Sequence, residues 1–357
     1  MDFEMTEERR LLSETLSRYL AEQYGPAHRE AVAYSAPFHD PQKWAELAGL
    51  GVLYALAEPD HGGFGGSGFD ITCVFEALGR ALTPEPVLPA LMAARLLSAA
   101  GADLGALLSG QSHYAVAAGE IDAPYAPEDV ATTARRTGGG WTLSGRKSVV
   151  YGGGVAHRFL VVARAGGTLG LFEVARTDAA VTAYGMIDGG GAAELFLDDT
   201  PALLLLEDAE AAVRDALEAG ALALSAEAVG LMDACQDMTL DYMKTRKQFG
   251  APIGSFQALQ HRMVDMLSEI EQARSITILA ASRMGTPEQS RTVSMSKNLI
   301  GRSAKLVAEE TIQLHGGIAM TWEYPASHYA KRLVMIDHQL GDTDYHLERV
   351  MAAYRDG

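Results

Sequence analysis

Two short segments in the second half of the chain carry side chains suited to a phosphorylated ligand. The first reads RKQFG over residues 246–250. Arg246 offers a planar fork of donors that matches phosphate oxygens, and Phe249 offers a flat apolar face. This combination suits the diphosphate of a dinucleotide. Taken alone, the segment could equally be a helix end with cations near its C-terminus, Gly250 as its cap and Pro252 beyond.

The second segment reads QLHGG over residues 313–317. Gly316 and Gly317 would let a backbone approach a ligand closely, and the Gln313 amide can both donate and accept hydrogen bonds. A glycine cap at a helix end is again the structural alternative. Of the two histidines nearby, which titrate near neutral pH, we expect His315 at a cofactor and His338 at solvent or an interface.

A glycine-rich stretch, DHGGFGGSGFD over residues 60–70, has the composition of a loop that cradles phosphate. However, no strand precedes it, and its spacing is neither that of a P-loop nor that of a dinucleotide fingerprint. We therefore expect a structural loop between helices.

Apolar periodicity divides the chain into three parts. Helical spacing fills residues 1–110, strand-like pieces separated by Gly-rich turns fill 111–205, and long helical stretches fill 206–357. The strand-like pieces are 114–117, 141–143, 159–163, 169–174 and 194–197, and the long helical stretches are 208–244, 255–282 and 287–314. The predicted fold class is α+β, with an N-terminal helical domain, a middle β domain and a C-terminal four-helix bundle.

Charge and cysteine content exclude several functions. The 46 acidic residues outnumber the 29 Lys and Arg residues, so the formal charge of -17 argues against nucleic-acid binding. Cys73 and Cys235 lack the spacing of a disulfide framework or zinc site, so no metal is expected. The acidic start and the lack of a long apolar run predict no signal peptide, no membrane contact and a cytoplasmic location.

The chain resembles the acyl-CoA dehydrogenase family, and within it most of all small subunits of the pimeloyl-CoA dehydrogenase type. The resemblance covers nearly the whole length. Its specific part is the RKQFG and QLHGG pair in this order, followed by WEYP at residues 322–325. The supporting segments are EPDHGGFGG at 58–66, GGGWTLSGRKSVV at 138–150 and AHRFLVVAR at 156–164.

This resemblance implies an FAD-dependent enzyme that introduces an α,β double bond into an acyl-CoA thioester. In the family a carboxylate removes the α-proton, the β-hydride goes to flavin N5, and an electron-transfer flavoprotein takes the electrons. FAD would lie at the interface of a homo- or hetero-oligomer of such subunits. The residues implied at the FAD diphosphate and adenosine are Arg246, Gln248, Phe249, Phe256, Gln313, His315, Gly316 and Gly317.

The residues expected to do the chemistry are missing. At the position of the usual catalytic Glu, after the second segment, stands Leu340, and the alternative position on the preceding helix holds Gly220. Glu218 would face the other side of that helix, and Glu227 lies two turns away. The remaining candidate bases are Asp337, Asp342 and Asp344, for which surface or capping roles are expected.

Two further features of the family are altered. Ala221 stands where many members keep an arginine. The Thr-Glu-Pro loop that borders the flavin ring corresponds to residues 117–122, and its companion strand end to residues 149–151.

Three functions therefore remain open. The first is an acyl-CoA dehydrogenase whose catalytic residue is unknown. The second is a non-catalytic small subunit that supplies the FAD diphosphate and adenosine half-site to a catalytic partner. The third is a structural or regulatory protein that has lost flavin, which would leave the two intact cofactor segments unexplained.

Overall fold

The structure is a computed structural model, and it describes residues 6–356. The predicted first and last domains extend to residues 1 and 357, so 1–5 and 357 of those predictions lie outside the described residues. The first part of the described chain is helical. Its helices are α1 (Glu7–Gln23), α2 (Pro26–Ala33), α3 (Pro41–Gly49), α4 (Val52–Ala55), α5 (Gly68–Arg80), α6 (Val87–Ala99) and α7 (Gly105–Leu108).

The middle part consists of strands. They are β1 (Tyr114–Ala117), β2 (Thr133–Thr137), β3 (Gly140–Tyr151), β4 (Arg158–Ala165), β5 (Thr168–Ala175), β6 (Ala180–Gly185) and β7 (Gly191–Leu206). The strand pairing runs from β4 through β2, β3, β7 and β5 back to β4, so these five strands close into a barrel. β1 pairs with β4 in parallel, and β6 pairs with β7. Buried side chains such as Leu143, Phe159 and Phe172 fill the barrel.

The last part is helical again, with one small hairpin. It contains α8 (Glu210–Thr245), β8 (Lys247–Gln248), β9 (Ala251–Pro252), α9 (Gln257–Arg283), α10 (Gln289–His315), α11 (Pro325–Asp337) and α12 (Thr343–Asp356). α10 packs against α9, α11 and α12. The order helical, β, helical confirms the predicted fold class. The five predicted strand pieces lie in β1, β3, β4, β5 and β7, and the three long helices begin and end within two residues of their predicted bounds.

Residue contacts divide the chain into two compact units. The C-terminal unit combines Gly68–Thr83 and Ala221 onwards with the described residues up to Arg29, and the barrel unit combines Glu30–Ser67 with Pro84–Gly220. The three domain boundaries proposed from the sequence remain a prediction. Within residues 6–356, no helix is long and apolar enough to cross a bilayer.

The glycine-rich stretch at 60–70 lies in the connection between α4 and α5 up to residue 67, and α5 begins at Gly68. Its amides already donate to carbonyls of the preceding turn: Gly63 N to Glu58 O, Phe64 N to Tyr54 O, and Gly65 N to Ala57 O, at 3.0 Å each. A β-carbon on Gly63 would stand 2.0 Å from the Ala57 oxygen, so the chain folds back too tightly for any larger residue. Amides used in this way cannot cradle a phosphate, and the structural prediction is confirmed.

Two glycines set the close approach of α5 and α8 in the C-terminal unit. A β-carbon on Gly79 would lie 2.1 Å from the Glu227 carbonyl oxygen, and one on Gly230 would lie 2.0 Å from the Glu76 carbonyl oxygen. Both obstacles are backbone atoms of the facing helix, so neither can rotate away. The two helices therefore meet backbone to backbone at this crossing.

Gly230→Ala should therefore destabilise the chain. Alanine has a better helix propensity than glycine, but overpacking at this rigid contact destabilises the chain by more than that gain. We therefore expect the free energy of unfolding to fall by about 2 kcal/mol. Urea unfolding measures this. Gly25→Ala, with open space around the new methyl group, is the control and should stay within about 0.5 kcal/mol of the parent. An equal effect of both substitutions would contradict the proposed clash.

Candidate functional site

The RKQFG segment forms a tight hairpin at the end of α8. β8 pairs with β9 through Gln248 and Ala251, which leaves Phe249 and Gly250 as a two-residue loop. Their φ angles of 52° and 81° are both positive, as a type I′ turn requires. α8 ends at Thr245, so the alternative interpretation of Gly250 as a helix cap is wrong.

This hairpin presents an apolar ring to the outside. Phe249 is 93% exposed, although a non-glycine residue in the left-handed region costs about 1–2 kcal/mol. Phe256 lies edge-to-face against it, with the ring centroids 6.2 Å apart, and Arg246 and Gln248 are exposed beside it. A strained backbone that holds an aromatic ring in solvent is typical of a binding site.

The QLHGG segment ends α10. Gly316, with φ 69°, closes the helix by donating its N–H to the Ile312 oxygen. Gln313, Gly316 and Gly317 are exposed, whereas His315 is 4% exposed and its Nδ1 lies 2.8 Å from the Thr311 oxygen. Burial lowers the pKa of His315. The segment thus brings Gln313 and the two glycines to the surface and turns His315 inward.

Tyr242 connects the two segments and was missed from the sequence. Its ring stacks on that of His315 at 4.6 Å, and its carbonyl accepts the backbone N–H of Arg246 at 2.8 Å. A third ring, that of Tyr324, also contacts His315, with the ring centroids 5.1 Å apart. Both motifs are therefore built on one aromatic cluster. An aromatic residue one helical turn before Arg246 was the available signal.

Leu340 lies in the turn between α11 and α12, which we call the Leu340 turn (residues 338–342). Leu340 and Gly341 have φ angles of 55° and 105°, and Leu340 is half-buried. Asp337 accepts hydrogen bonds from the Thr343 amide at 3.1 Å and the Thr343 hydroxyl at 2.8 Å. Asp342 accepts from the Tyr345 amide at 2.8 Å. Both carboxylates therefore cap α12, and Asp344 and His338 are exposed.

A buried lysine, also missed from the sequence, holds this turn. Lys297 of α10 is 0% exposed, and its ammonium donates to the carbonyl oxygens of Ile336 at 2.8 Å, Asp337 at 3.2 Å and Gly341 at 2.8 Å. Burial lowers its pKa to about 7, against the opposing pull of Asp337. The helix C-terminus and the turn thus share one cation, which also suits the dipole of α11.

A buried histidine holds the same turn from the other side. His346 lies with Nε2 3.0 Å from the Leu340 carbonyl and Nδ1 3.2 Å from the Ser294 hydroxyl. Nε2–H donates to the carbonyl, because a carbonyl can only accept, and the serine hydroxyl donates to Nδ1. Burial and the nearby Lys297 charge lower the pKa of His346 to about 3. The histidine is therefore a neutral structural link at physiological pH.

The other positions considered for a base lie on α8. Gly220, Ala221 and Glu218 are buried. Glu227 forms a bidentate pair with Arg332, with oxygen–nitrogen distances of 2.6 and 2.7 Å. Both oxygens of this carboxylate are therefore engaged by the guanidinium.

A buried ion pair fixes the loop at residues 117–122 to the barrel. Glu120 accepts from Lys147 Nζ at 2.7 Å, from the Ala131 and Thr132 amides at 2.7 and 3.0 Å, and from the Thr132 hydroxyl at 2.6 Å. Burial raises the pKa of Glu120, but the bonds from Lys147 and Thr132 prevail and set it to about 2. Lys147 is fully buried, which lowers its pKa to about 8. The pair is therefore ionised at neutral pH.

The strand end at residues 149–151 is fixed by a second carboxylate. Glu194 of β7 accepts from the Ser148 hydroxyl at 2.8 Å and from the Val149 amide at 3.3 Å. Val149 has a φ of 50° and is 43% exposed. Loop and strand end both satisfy their polar groups within the barrel unit.

Lys147→Met should therefore be strongly destabilising, because it leaves the Glu120 carboxylate without its cation. Breaking a buried pair from one side costs about 3–5 kcal/mol, and the double change with Glu120→Leu should cost less than the single change. Urea unfolding of the set measures this. Arg135→Ala, which removes an exposed pair with Asp199 in the same sheet, is the control and should cost under about 1 kcal/mol. Equal costs for the single and double changes would refute the pairing energy.

Two family models match the chain. The N-terminal domain of acyl-CoA dehydrogenase matches residues 6–115, and the C-terminal domain of acyl-CoA dehydrogenase matches residues 211–354. Acyl-CoA dehydrogenase IpdE2 of Mycobacterium tuberculosis is 32% identical over 330 residues, which cover 91% of each protein.

Solved structures agree with this match. The Tcur3481-Tcur3483 steroid ACAD, in a variant form, superposes with a TM-score of 0.90 at 29% identity over 98% of both chains. The ChsE4-ChsE5 complex of Mycobacterium tuberculosis superposes with a TM-score of 0.91 at 25% identity over 100% of both chains. A glutaryl-CoA dehydrogenase of Mycobacterium smegmatis with the same fold (20% identity, TM-score 0.88, 99% and 96% covered) holds FADH2. The resemblance inferred from the cofactor segments is confirmed: the chain belongs to the acyl-CoA dehydrogenase family.

Proposed function

We propose that this chain is the non-catalytic subunit of a heteromeric acyl-CoA dehydrogenase, in which it supplies a half-site for the diphosphate and adenosine of FAD. A partner subunit with an intact catalytic Glu would hold the flavin ring and remove the α-proton. The observation that carries the proposal is the Leu340 turn. It is firmly built, yet an aliphatic side chain stands at the family's catalytic position.

The carboxylates around that position support the proposal. A general base must be within hydrogen-bond reach of the proton it removes, and its lone pairs must be available. The carboxylates of Asp337 and Asp342 accept hydrogen bonds from residues of α12, and the carboxylate of Glu227 accepts from Arg332. Each would have to give up a stabilising role in order to act as the base.

The flavin-bordering loop supports the same division of labour. In the family this loop faces the flavin ring, but here its acidic residue, Glu120, turns to Lys147 and Thr132. The neighbouring Ser148 amide donates to the Gly119 oxygen at 3.0 Å, which ties the loop to β3. These groups are already satisfied inside the barrel unit, so little is left for a flavin.

The FAD half-site, by contrast, fits its ligand. Arg246 has a bidentate fork for a diphosphate, Phe249 presents an apolar face, and Gln313 has an exposed amide at the end of α10. When bound, FAD supplies the hydride acceptor for dehydrogenation. The part of this chain would be to bind and orient the diphosphate end and to shield it from water. His315, being buried, would support the segment through Tyr242.

The relatives point to the kind of assembly and substrate. One similar structure is described as the ChsE4-ChsE5 complex and another as a steroid ACAD. We propose by analogy that the substrate is a bulky acyl-CoA thioester such as a steroid-derived one, and that the electrons pass to an electron-transfer flavoprotein. An active dehydrogenase with a displaced base is the alternative.

The flavin content of the purified chain tests this proposal. We expect less than about a tenth of the FAD expected for one site per chain when it is purified alone, because half a site loses most of the binding contacts. Mixing with a family subunit from the same organism that retains the catalytic Glu should restore flavin absorbance in a co-eluting complex. Size-exclusion chromatography monitored at the flavin band measures both.

The acyl-CoA reaction provides the opposing outcome. A steroid-derived acyl-CoA should bleach the flavin of the mixed complex and leave the isolated chain, supplied with excess FAD, unchanged. Full flavin occupancy and bleaching in the isolated chain would establish the displaced-base alternative and overturn the partner proposal.

Arg246→Lys tests the half-site itself. Lysine keeps the charge but loses the planar fork, so FAD should bind the assembled complex about tenfold more weakly. Flavin fluorescence titration of the apo-complex measures the dissociation constant. Arg18→Lys, the same exchange at an exposed position of α1, should leave it unchanged. Unaltered affinity in Arg246→Lys would remove this residue from the site.

A further inference from the structure

The barrel unit contains an apolar helix with a single charged residue. α6 reads VLPALMAARLLSA over residues 87–99, and most of its residues are buried. Arg95 is its only charged residue, and only 15% of the side chain is exposed. An arginine placed so deeply is normally paired with an acid. The geometry of that pairing is therefore informative.

Arg95 lies between two carboxylates and closes on neither. Its Nη1 lies 3.4 Å from Glu58 Oε1, and its Nε lies 3.6 Å from Asp215 Oδ2. Charge-assisted bonds of this kind are usually about 2.7–2.9 Å long, and Arg332 meets Glu227 at 2.6 and 2.7 Å. Among the described residues, the buried Nε of Arg95 has no hydrogen-bond partner. Because a buried donor without an acceptor is destabilising, this N–H is suited to bind an acceptor on a ligand.

The guanidinium faces an open space, which we call the Arg95 cavity. Its volume is about 210 Å³, and both carboxylates line it together with Arg95. The apolar part of the lining consists of the buried residues Leu56, Ala57 and Ala94. All of the lining residues belong to the barrel unit. A concave, partly apolar surface with a few convergent polar groups is the usual form of a small-molecule site.

The glycine-rich stretch that follows α4 fixes one side of this cavity. The carbonyl oxygen of Glu58 accepts from the amides of His61 and Gly63, at 3.0 Å each, and that of Ala57 accepts from the Gly65 amide at 3.0 Å. His61 also lines the cavity. The backbone that carries these side chains is therefore already ordered, which lowers the free-energy cost of binding.

A ligand for the Arg95 cavity has to satisfy groups of both charges. A simple anion would accept from Arg95 but would also face the carboxylates of Glu58 and Asp215. A simple cation would suit the carboxylates but would face the guanidinium. A molecule that carries a carboxylate and an ammonium on one carbon offers each group its opposite charge.

The volume restricts the ligand to a small molecule. Pockets for drug-sized ligands measure roughly 300–1,000 Å³, so about 210 Å³ leaves no room for FAD or a CoA thioester. The apolar lining suits a short aliphatic group. The cavity shares no residue with the RKQFG and QLHGG segments, so it is separate from the proposed FAD half-site.

We propose that the Arg95 cavity binds a free α-amino acid with a small aliphatic side chain. The ligand carboxylate accepts from Nε of Arg95, its ammonium donates to Glu58, and its side chain lies on Leu56, Ala57 and Ala94. No bond is made or broken, so this is a site for binding rather than for catalysis. The ligand contacts both α6 and the turn after α4, and its binding stabilises the folded chain.

Isothermal titration calorimetry of the full chain tests the proposal, with L-alanine, L-valine, L-leucine and L-methionine as probes. At least one should bind saturably at one site per chain, with a dissociation constant below about 1 mM. The acid and the amine that correspond to the best-bound amino acid separate its two charges; for L-leucine they are isocaproate and isoamylamine. Each should bind at least about tenfold more weakly, because one charged group of the site then lacks its partner.

Substitutions at the two ends of the proposed ligand locate the site. Arg95→Lys keeps the charge but loses the Nε donor, so it should weaken binding of the amino acid about tenfold or more. Glu58→Gln, at a side chain that is 56% exposed, removes the carboxylate to which the ammonium donates. It should reduce the preference for the amino acid over its acid analogue to below about twofold. Arg136→Lys and Glu207→Gln make the same exchanges at exposed positions of the barrel unit and should change neither result.

Three results would overturn the proposal: no saturable binding of any of the four amino acids, equal affinity for an amino acid and one of its singly charged analogues, or unchanged affinity in Arg95→Lys. If Arg95→Lys does not fold, Glu58→Gln decides, and an unchanged preference in that variant overturns the proposal. None of these measurements involves FAD, so a failure here is distinct from a failure of the proposed subunit role.

Discussion

The buried ammonium group of Lys297 makes the hydrogen bonds on which the arrangement of the C-terminal unit depends. It is fully buried on α10, and it holds the last carbonyls of α11 and the Gly341 carbonyl together. α10 packs against three other helices, and its C-terminal end carries Gln313 and the two exposed glycines. Lys297 and Gln313 are separated by about 24 Å along the helix at 1.5 Å per residue. One helix therefore positions both the Leu340 turn and the QLHGG segment. The two places are too far apart for a single residue to contact both.

This arrangement explains how residue 340, the position that the resemblance assigns to the catalytic Glu, can change while the backbone around it is kept. The Leu340 turn depends on carbonyl contacts to Lys297 and His346 and on Asp337 capping α12; none of these uses the side chain of residue 340. A substitution at the apex thus leaves the turn intact. The RKQFG and QLHGG segments, which we propose bind FAD, are likewise held by backbone bonds and by Tyr242. On our proposal, one subunit can therefore lose the catalytic residue and still keep the fold that its partner subunit would need.

The fold class could be predicted from the sequence, because the long helices and most of the longer strands are marked by local patterns of apolar residues. Helical and alternating periodicity located the long helices and five of the strands because each is a repeating pattern of burial. β2, β6, β8 and β9 were missed; they are short and mostly exposed, so they carry little alternation. The outward direction of Phe249 was also invisible, because it depends on a type I′ turn that Phe rarely occupies.

The site was only partly predictable, because its supporting residues act over long sequence distances. Arg246 and Gln313 stand in recognisable motifs, whereas Lys297, His346 and Tyr242 are ordinary helical residues until the chain brings their partners to them. The ring contacts of His113 with His39 and His157 are the same case, since the three histidines come from separate connections. Sequence spacing carries no information about contacts of this kind unless the fold is already known.

The buried charged side chains of each unit are held by partners within the same unit. In the C-terminal unit, Glu227 pairs with Arg332, and Lys297 Nζ donates to backbone carbonyl oxygens, so both side chains are held in place. In the barrel unit, the buried Lys147 pairs with the carboxylate of Glu120, which also accepts hydrogen bonds from the Ala131 and Thr132 amides. Loop 117–122 is thus fixed by a pair that is ionised at neutral pH. Mild acid should leave this fixing intact, because the carboxylate of Glu120, with a pKa of about 2, keeps its charge down to far below neutral pH.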